Sequence, residues 1–454
     1  MHSTKYIFHD FYLRPSVINH KQEQFFKQKL FRIRNKRMRQ QQICVAKVPD
    51  ACRCEQFFCA GKYMLRIGVF RLAAVAACAV PACLPAAADE DWTTRIYGRL
   101  VYDQTTLEGD RTGLEETSSE FRQALLGGVV KSDSWTFHAN VLAASGLSPR
   151  IFDLWTEYRP GGGKWGIRAG QFKTPNSLDE QTSSLYSTTA ERAAITDSFD
   201  LDRRFGIALT GTGERFTAMA GVFAGNISDN VRHEGHAAAA RVTFVPWRNE
   251  DWTGHLGLSV RWREGGGDNP LLRYRQRPYA HQSGAILYTG SVFDSETLVM
   301  GEAAVLHGHS WAAAELAGAD ASLTAGGHAQ LGGGNAEVGH VFGGHRTLNH
   351  GRFEETVIDR PVSEGGAGAL TIAARMDTID LSDGAVDGGQ MTSEILAFTW
   401  SLNRNFQLRL DLFNADAGLG NMTGGLDPVF AAAVAAGIGN ETVSGTTLRF
   451  QASF

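Results

Sequence analysis

TLRFQASF, residues 447–454, alternates apolar and polar side chains up to a final Phe454. Leu448 and Phe450 share one parity, and Arg449 and Gln451 take the other. The preceding stretch LAFTWSLNRNFQLRLDL (396–412) repeats the pattern around an NRN turn: Phe406, Leu408, Leu410 and Leu412 oppose Gln407, Arg409 and Asp411. A period of two places successive side chains on opposite faces of a strand, so both segments read as antiparallel strands with one oily and one wetter face.

The same period runs back through the chain. Ile96, Leu100 and Tyr102 alternate with Arg99 and Asp103; Phe121, Leu125 and Val129 with Arg122 and Ala124. After a KSDS turn, Trp135, Phe137 and Val141 alternate with Thr136, His138 and Asn140, and Phe152, Leu154 and Tyr158 with Asp153, Glu157 and Arg159. Trp165, Ile167 and Ala169 flank Arg168. Val242 and Phe244, then Leu256, Leu258, Val260 and Trp262, oppose Arg241, His255, Ser259, Arg261 and Arg263. Further pairs join at residues 211–214, 248–251 and 307–310.

Charge divides the chain in two. The first 88 residues hold 15 Lys and Arg against four acids and all six cysteines, which leaves 29 basic and 44 acidic residues in a cysteine-free remainder. That acidic body excludes a nucleic-acid partner, because polyanion binding needs a basic surplus, and it holds no disulfide framework. Residues 64–88 carry Arg66 and Arg71, an apolar run from Leu72 to Val80, and Ala86-Ala87-Ala88. This is the layout of a secretory signal peptide with cleavage before Asp89. Residues 1–63 then read as upstream sequence preceding a start at Met64, and residues 89–454 as the folded domain.

A soluble β-sandwich also alternates, so three further features choose a membrane barrel. The strands run about 9–12 residues, as tilted membrane strands need; turns on one side are short while alternate connections are long; and aromatic residues recur near strand ends. The 366 residues after position 88 accommodate about 16 strands at roughly 23 residues each, a size wide enough for an aqueous lumen. A terminal Phe454 on an alternating strand is the signal by which such barrels meet their assembly machinery. The expected fold is an all-β transmembrane antiparallel barrel of about 16 strands.

No HExxH, GxSxG or Walker pattern occurs, and the GGGK (161–164) and GGGN (332–335) pieces read as turns. His307, His309, His340, His345 and His350 lack the spacing of a compact metal site. The reading expects no cofactor, no metal and no catalytic residues. A lipid-hydrolysing barrel enzyme and a closed structural or adhesive barrel, with residues 414–440 as an exposed loop carrying a helical segment at 427–436, stand as the alternatives.

WGIRAGQFKTPNSLDEQTSSLYSTTAERA (165–193), Arg204 and Gly206 in DRRFGIALTG, GHVFGGHRTLNHGRFEETVIDRPV (339–362) and GALTIAARMDTIDLSDG (368–384) resemble the phosphate-selective porin O and P family. The resemblance implies a 16-stranded outer-membrane channel of a Gram-negative bacterium, commonly a homotrimer in lipid. It also implies a loop after the fifth strand that folds inward and narrows the pore for small anions such as phosphate or other small hydrophilic solutes. Residues 174–202 match that constriction loop. In phosphate-selective members arginines line the approach and lysines the constriction. Here Arg99, Arg122, Arg168, Arg204, Arg241, Arg261, Arg263, Arg375, Arg409 and Arg449 fall on the lumen parity, while Lys131, Lys164 and Lys173 are the only lysines after residue 88. The loop itself carries Asp179, Glu180, Glu191, Asp197, Asp200 and Asp202 against Arg192, so the expected field at the constriction leans toward cations.

Overall fold

The computed structural model describes residues 91–454 apart from 145–146, 229–234 and 266–270. The signal-peptide and upstream-extension readings fall outside the described residues. Sixteen antiparallel strands close into one barrel in chain order. They are β1 (Thr93–Gly109), β2 (Glu115–Lys131), β3 (Trp135–Ala144), β4 (Leu147–Tyr158), β5 (Trp165–Lys173), β6 (Arg203–Thr212), β7 (Phe216–Phe223) and β8 (Ala237–Phe244). The second half comprises β9 (Trp252–Glu264), β10 (Phe293–His307), β11 (Ser310–Leu323), β12 (His328–Phe342), β13 (Ala369–Asp383), β14 (Val386–Ser401), β15 (Phe406–Gly418) and β16 (Asn440–Ser453).

Closure is made by β16 on β1, in register from Arg99 opposite Ser453 to Gly109 opposite Val443. Phe454 extends it: its N–H donates to Gly98 O at 3.1 Å and its carbonyl accepts from Gly98 N at 3.2 Å. The Phe454 ring lies 2.5 Å from where a Cβ on residue 98 would stand, so only glycine admits the ring there. A closed sheet leaves no unpaired edge, the condition for strands to cross a bilayer.

Alternation holds along β9, where Leu256, Leu258, Val260 and Trp262 stand outward and exposed while His255, Ser259, Arg261 and Arg263 are buried inside. Exposed Tyr158, Trp165, Phe244, Trp252, Phe342, Trp400, Phe406 and Phe454 gather at one end of the strands, an aromatic girdle. In β2 the expected parity fails. Val101 pairs with Gln123 and Tyr102 with Phe121, so Arg122 is an extra residue that bulges the strand. The bulge reverses the faces: Phe121 points out, whereas Leu125 and Val129 point in, across from Arg99 and Arg95.

Strand length is uneven. The strands from β3 to β8 span 8 to 12 residues, whereas β1 and β2 have 17 each and β10 has 15. The barrel therefore has a low wall and a high wall. Long connections (174–202, 224–236, 265–292 and 419–439) leave one end, but the short-turn end also has a long one, against expectation. Residues 343–368 join β12 to β13 there and carry two small ladders, Gly344–His345 with Val357–Ile358 and Leu348–Asn349 with Arg352–Phe353. Leu348 and Phe353 are buried against Trp311, Ala313 and Val341, so this connection folds up into the barrel. In the 419–439 loop a helix spans Pro428–Ala435 as the sequence suggests, capped by the Asp427 side chain, and its Phe430 is buried.

Candidate functional site

Residues 174–202 lie inside the barrel between β5 and β6, pinned at their base by Thr174 N donating to Asp202 O at 3.2 Å. Two short helices shape the loop, α1 (Leu178–Gln181) and α2 (Ala194–Ser198). Ser177 caps α1 by accepting from Glu180 N at 3.1 Å. The Glu315 carboxylate from β11 accepts the next two amides, Leu178 N at 2.9 Å and Asp179 N at 2.7 Å, and so ties the helix start to the wall.

The high wall holds the rest. Ala193, Ala194, Ile195, Phe199 and Leu201 pack into an apolar cluster with the inward Leu298, Met300, Leu331, Ile379, Ile395 and Phe413. The loop carbonyls at this contact would be orphaned without donors, and arginines supply them. Arg409 donates to Ser187 O at 2.6 Å and Thr189 O at 2.8 Å; Arg449 to Ala190 O at 2.8 Å. Arg375 donates to Glu191 O and Arg192 O at 3.2 Å and to Thr189 Oγ1, and Arg261 to Phe199 O at 2.5 Å and Asp200 O at 3.2 Å. Asp411 completes the set by accepting Ala190 N at 2.6 Å. From the opposite end of the lumen, Arg346 of the 343–368 insert donates to Tyr186 O and Thr188 Oγ1, both at 2.8 Å, and stacks 3.7 Å over the Phe353 ring.

The ten arginines of lumen parity thus divide. Arg204, Arg241, Arg261, Arg263, Arg375, Arg409 and Arg449 are all less than a tenth exposed. Most of them answer wall carboxylates: Arg241 pairs with Glu302 at 2.5 Å, Arg261 with Glu296 at 2.5 Å, Arg263 with Glu296 at 2.8 Å, Arg375 with Asp377 at 2.9 Å and Arg449 with Asp103 at 2.6 Å. Arg204 donates to Ala224 O at 3.2 Å. Arg99, Arg122 and Arg168, on the first five strands, are only partly buried. Arg168 pairs with Glu157 at 2.7 Å and stacks on Trp155 at 4.1 Å. Arg99 Nε is buried without a hydrogen-bond partner, and its guanidinium makes no ion pair among the described residues.

Every acid of the loop meets a cation. Asp179 lies 3.5 Å from Arg192, Glu180 3.2 Å from Lys173, Glu191 3.5 Å from Arg122, Asp197 3.0 Å from Arg277, Asp200 3.4 Å from Arg263 and Asp202 3.3 Å from Arg203. Burial alone would raise Glu191, but Arg122 foremost, then His281, Arg277 and Arg449, bring its carboxyl down to about 2. Burial opposes ionisation of Asp179 as well, and Arg192 with Arg375 outweighs it, holding the group below the ordinary carboxylate range. The acid-rich loop expected to favour cations is therefore charge-compensated by its surroundings. Sequence reasoning did not single out Arg203, Arg277, Arg346 or Glu315. Arg277 and Arg346 reach the loop from other connections, which no strand periodicity reports. Glu315 was legible only as a lone acid in the apolar run WAAAELAGA.

The histidines of the middle region collect at the short-turn end. His307 stacks on Trp252 at 4.0 Å, His309 hydrogen-bonds Gly344 O at 2.5 Å and His340 meets Ser310 Oγ at 2.8 Å.

Comparison with known proteins follows the same lines. An uncharacterised protein of Caulobacter vibrioides is 31% identical over 301 residues, a match covering 62% of this chain and 59% of that one. The chain thus spans about three fifths of that relative's length. Among solved structures, an anion-selective porin from Comamonas acidovorans superposes with a TM-score of 0.52 at 12% identity, over 80% of this chain and 100% of that one. The outer-membrane expressed OmpT of Vibrio cholerae gives 0.50 at 10% identity, over 81% and 99%. At such identities these likenesses establish the barrel fold alone. The family described as phosphate-selective porin O and P matches residues 94–423, and with that span, this barrel and its inward loop, the chain belongs to that family.

Proposed function

We propose that the barrel is a passive outer-membrane channel of a Gram-negative bacterium that carries small hydrophilic solutes without covalent chemistry and prefers anions. The observation that carries the preference is the charge balance at the loop: all six of its acids sit within 3.0–3.5 Å of a cation, while the Arg99 guanidinium has no ion pair among the described residues. The packed loop lies against the wall from β10 to β16, so the route runs between its free edge and the wall from β1 to β6. Arg99, Arg122, Arg168, Arg192, Lys173 and Arg277 face that side, with Glu191, Glu157, Asp179, Glu180 and Asp197 as their counterweights. A surplus guanidinium there concentrates anions in a low-dielectric passage, and its planar fork suits phosphate oxygens. In this reading the barrel assembles as a homotrimer in outer-membrane lipid and is recognised by the assembly machinery through Phe454.

The test is the reversal potential of single channels of the purified protein in a planar bilayer under a salt gradient, repeated with added phosphate. Anion-signed reversal with current reduced by phosphate is expected. A cation-signed potential would overturn the anion preference, and absence of current would overturn the channel.

A further inference from the structure

The inward positions of β1 read Arg95, Tyr97, Arg99, a ring between two guanidinium groups. Inward side chains of a water-filled barrel are ordinarily polar, so the ring calls for a reason. Its in-register neighbour on β2 is Gly127. A Cβ there would stand 2.7 Å from the Tyr97 ring and 2.6 Å from Asn140 Cβ, so the bare glycine lets the ring lie across β2, flat against the sheet. Asn140 Nδ2 donates to the Tyr97 hydroxyl at 2.9 Å, which leaves the hydroxyl proton for His138 Nε2 at 2.6 Å. The planes of the two rings differ by 12° and their centroids are 5.9 Å apart. Rings joined through a hydroxyl and a ring nitrogen at that separation lie edge to edge, as one aromatic surface over β2 and β3.

One face of this surface rests on the sheet and the other is turned to the lumen; Tyr97 and His138 are each half-buried. Trp155 of β4, paired with His138 in register, borders it with ring centroids 5.0 Å apart at 50°. The Arg168 guanidinium lies over the Trp155 ring at 4.1 Å, and the indole N–H has no partner among the described residues. The nearby acids are matched: Asp153 pairs with Arg203 at 2.9 Å and Glu157 with Arg168 at 2.7 Å. Arg99, the next inward residue after Tyr97, makes no ion pair among the described residues. Alternate residues of a strand stand about 6.8 Å apart, a separation that a carboxylate on a benzene ring spans. Conduction of inorganic ions gives these rings no task, whereas a flat organic anion uses both the ring surface and the guanidinium.

We propose that the channel takes arylcarboxylates in preference to aliphatic carboxylates of the same charge. The ring of the solute lies on the Tyr97–His138 surface and its carboxylate meets Arg99, with Trp155 as the side wall. Tyr97 and Gly127 are then the specificity-determining positions: one supplies the ring, the other the room for it to lie flat. The inference rests on the permeation route along β1 to β6 and on the anion preference in the proposed function.

The test is the concentration of benzoate, or of cyclohexanecarboxylate, that halves the single-channel chloride current of the purified protein in a planar bilayer at neutral pH. The two ions carry the same charge and nearly the same bulk, so the flat ring is the difference between them. The wild type is expected to need about threefold less benzoate, the size of one aromatic contact. Tyr97→Phe keeps the ring over Gly127 and should keep the preference. Tyr97→Leu should bring the two concentrations together, and Gly127→Ala, which lifts the ring off the sheet, should do the same. Heat-modifiable gel mobility shows which variants are folded; if Tyr97→Leu is lost from the membrane, Gly127→Ala decides. Equal concentrations in the wild type, or a preference that survives the loss of the flat ring, would overturn the site. The reversal potential under a potassium chloride gradient, read in the same bilayers, keeps the two readings apart. An anion-signed potential without benzoate preference overturns this site alone, and a cation-signed potential overturns the anion preference and this site with it.

Discussion

The wall from β9 to β16 and the pair β1 and β2 use the same residue to opposite ends. On strands β9 to β16, Arg261, Arg263, Arg375, Arg409 and Arg449 are at most 4% exposed. They have exchanged water for carboxylates and the carbonyls of residues 187–200. On β1 and β2, Arg99 and Arg122 sit at the same inward parity but face the free edge of the loop. What separates them is the distance to an orphaned backbone carbonyl. Where the loop lies against the wall, guanidinium groups are consumed in satisfying it; on β1 and β2, Arg122 is met by Glu191 at 3.5 Å and Arg99 makes no ion pair among the described residues, which leaves it available to a permeating ion. Arginine suits both tasks because it stays charged when buried and offers five donors.

The strongest way to break this contrast is to reverse charge on each side. Arg261→Glu with Arg263→Glu would bury two carboxylates beside that of Glu296 in place of its two cations, a fault costing several kcal/mol for each broken pair. We expect the variant to be lost from the outer-membrane fraction, read by heat-modifiable mobility. From the sequence alone this pair would be expected to alter ion selectivity; burial turns it into a folding lesion. Arg375→Ala with Arg409→Ala is the next step down. It leaves Asp377 unpaired and strips the carbonyls of Ser187, Thr189, Glu191 and Arg192 of donors, at about 3–5 kcal/mol for the broken buried pair. The barrel still closes through its sheet, but the loop is released, so single-channel current should rise and become noisy. A quiet channel of wild-type conductance would show that the apolar contacts of Ile195 and Phe199 hold the loop unaided.

On β1 and β2, Arg99→Glu with Arg122→Glu should leave gel mobility unchanged and move the reversal potential toward cations by tens of millivolts. An unmoved potential would place the permeation route elsewhere.

The sequence made the strands legible wherever one face was oily and the other wet, as in β9 and β15, because period two survives translation into a barrel directly. The loop between Lys173 and Arg203 was also legible, since 29 residues exceed any ordinary connection. Two things were hidden. In β2 the bulge at Arg122 resets parity, and a single extra residue leaves no mark in composition. In β10, the consecutive Leu298, Val299 and Met300 show no alternation because both faces are apolar, one toward lipid and one toward the packed loop. Lumen parity identified the arginines but not their roles, because those depend on where a distant loop comes to rest. The inward course of residues 343–368 depends in the same way on Phe353 finding Trp311 and Leu178.

The smallest effect we expect concerns pH, and its direction follows from Glu191. The folded carboxyl sits at about 2, against an ordinary 4.5, so its pairing contributes fully above the unfolded value and is lost only as pH falls through the folded one. Between pH 7 and pH 4 the group therefore remains ionised, Arg122 remains neutralised, and the reversal potential should not move on this account. Near pH 2 protonation releases Arg122 and the channel should become more anion-preferring, while Glu191→Gln should show that enhanced preference already at neutral pH and no further change on acidification. A wild-type channel whose selectivity shifts between pH 5 and pH 4 would mean that Glu191 titrates as a solvated carboxylate. The ring of cations around it, and with it the compensation that distinguishes the loop's free edge from its buried one, would then be absent in the membrane.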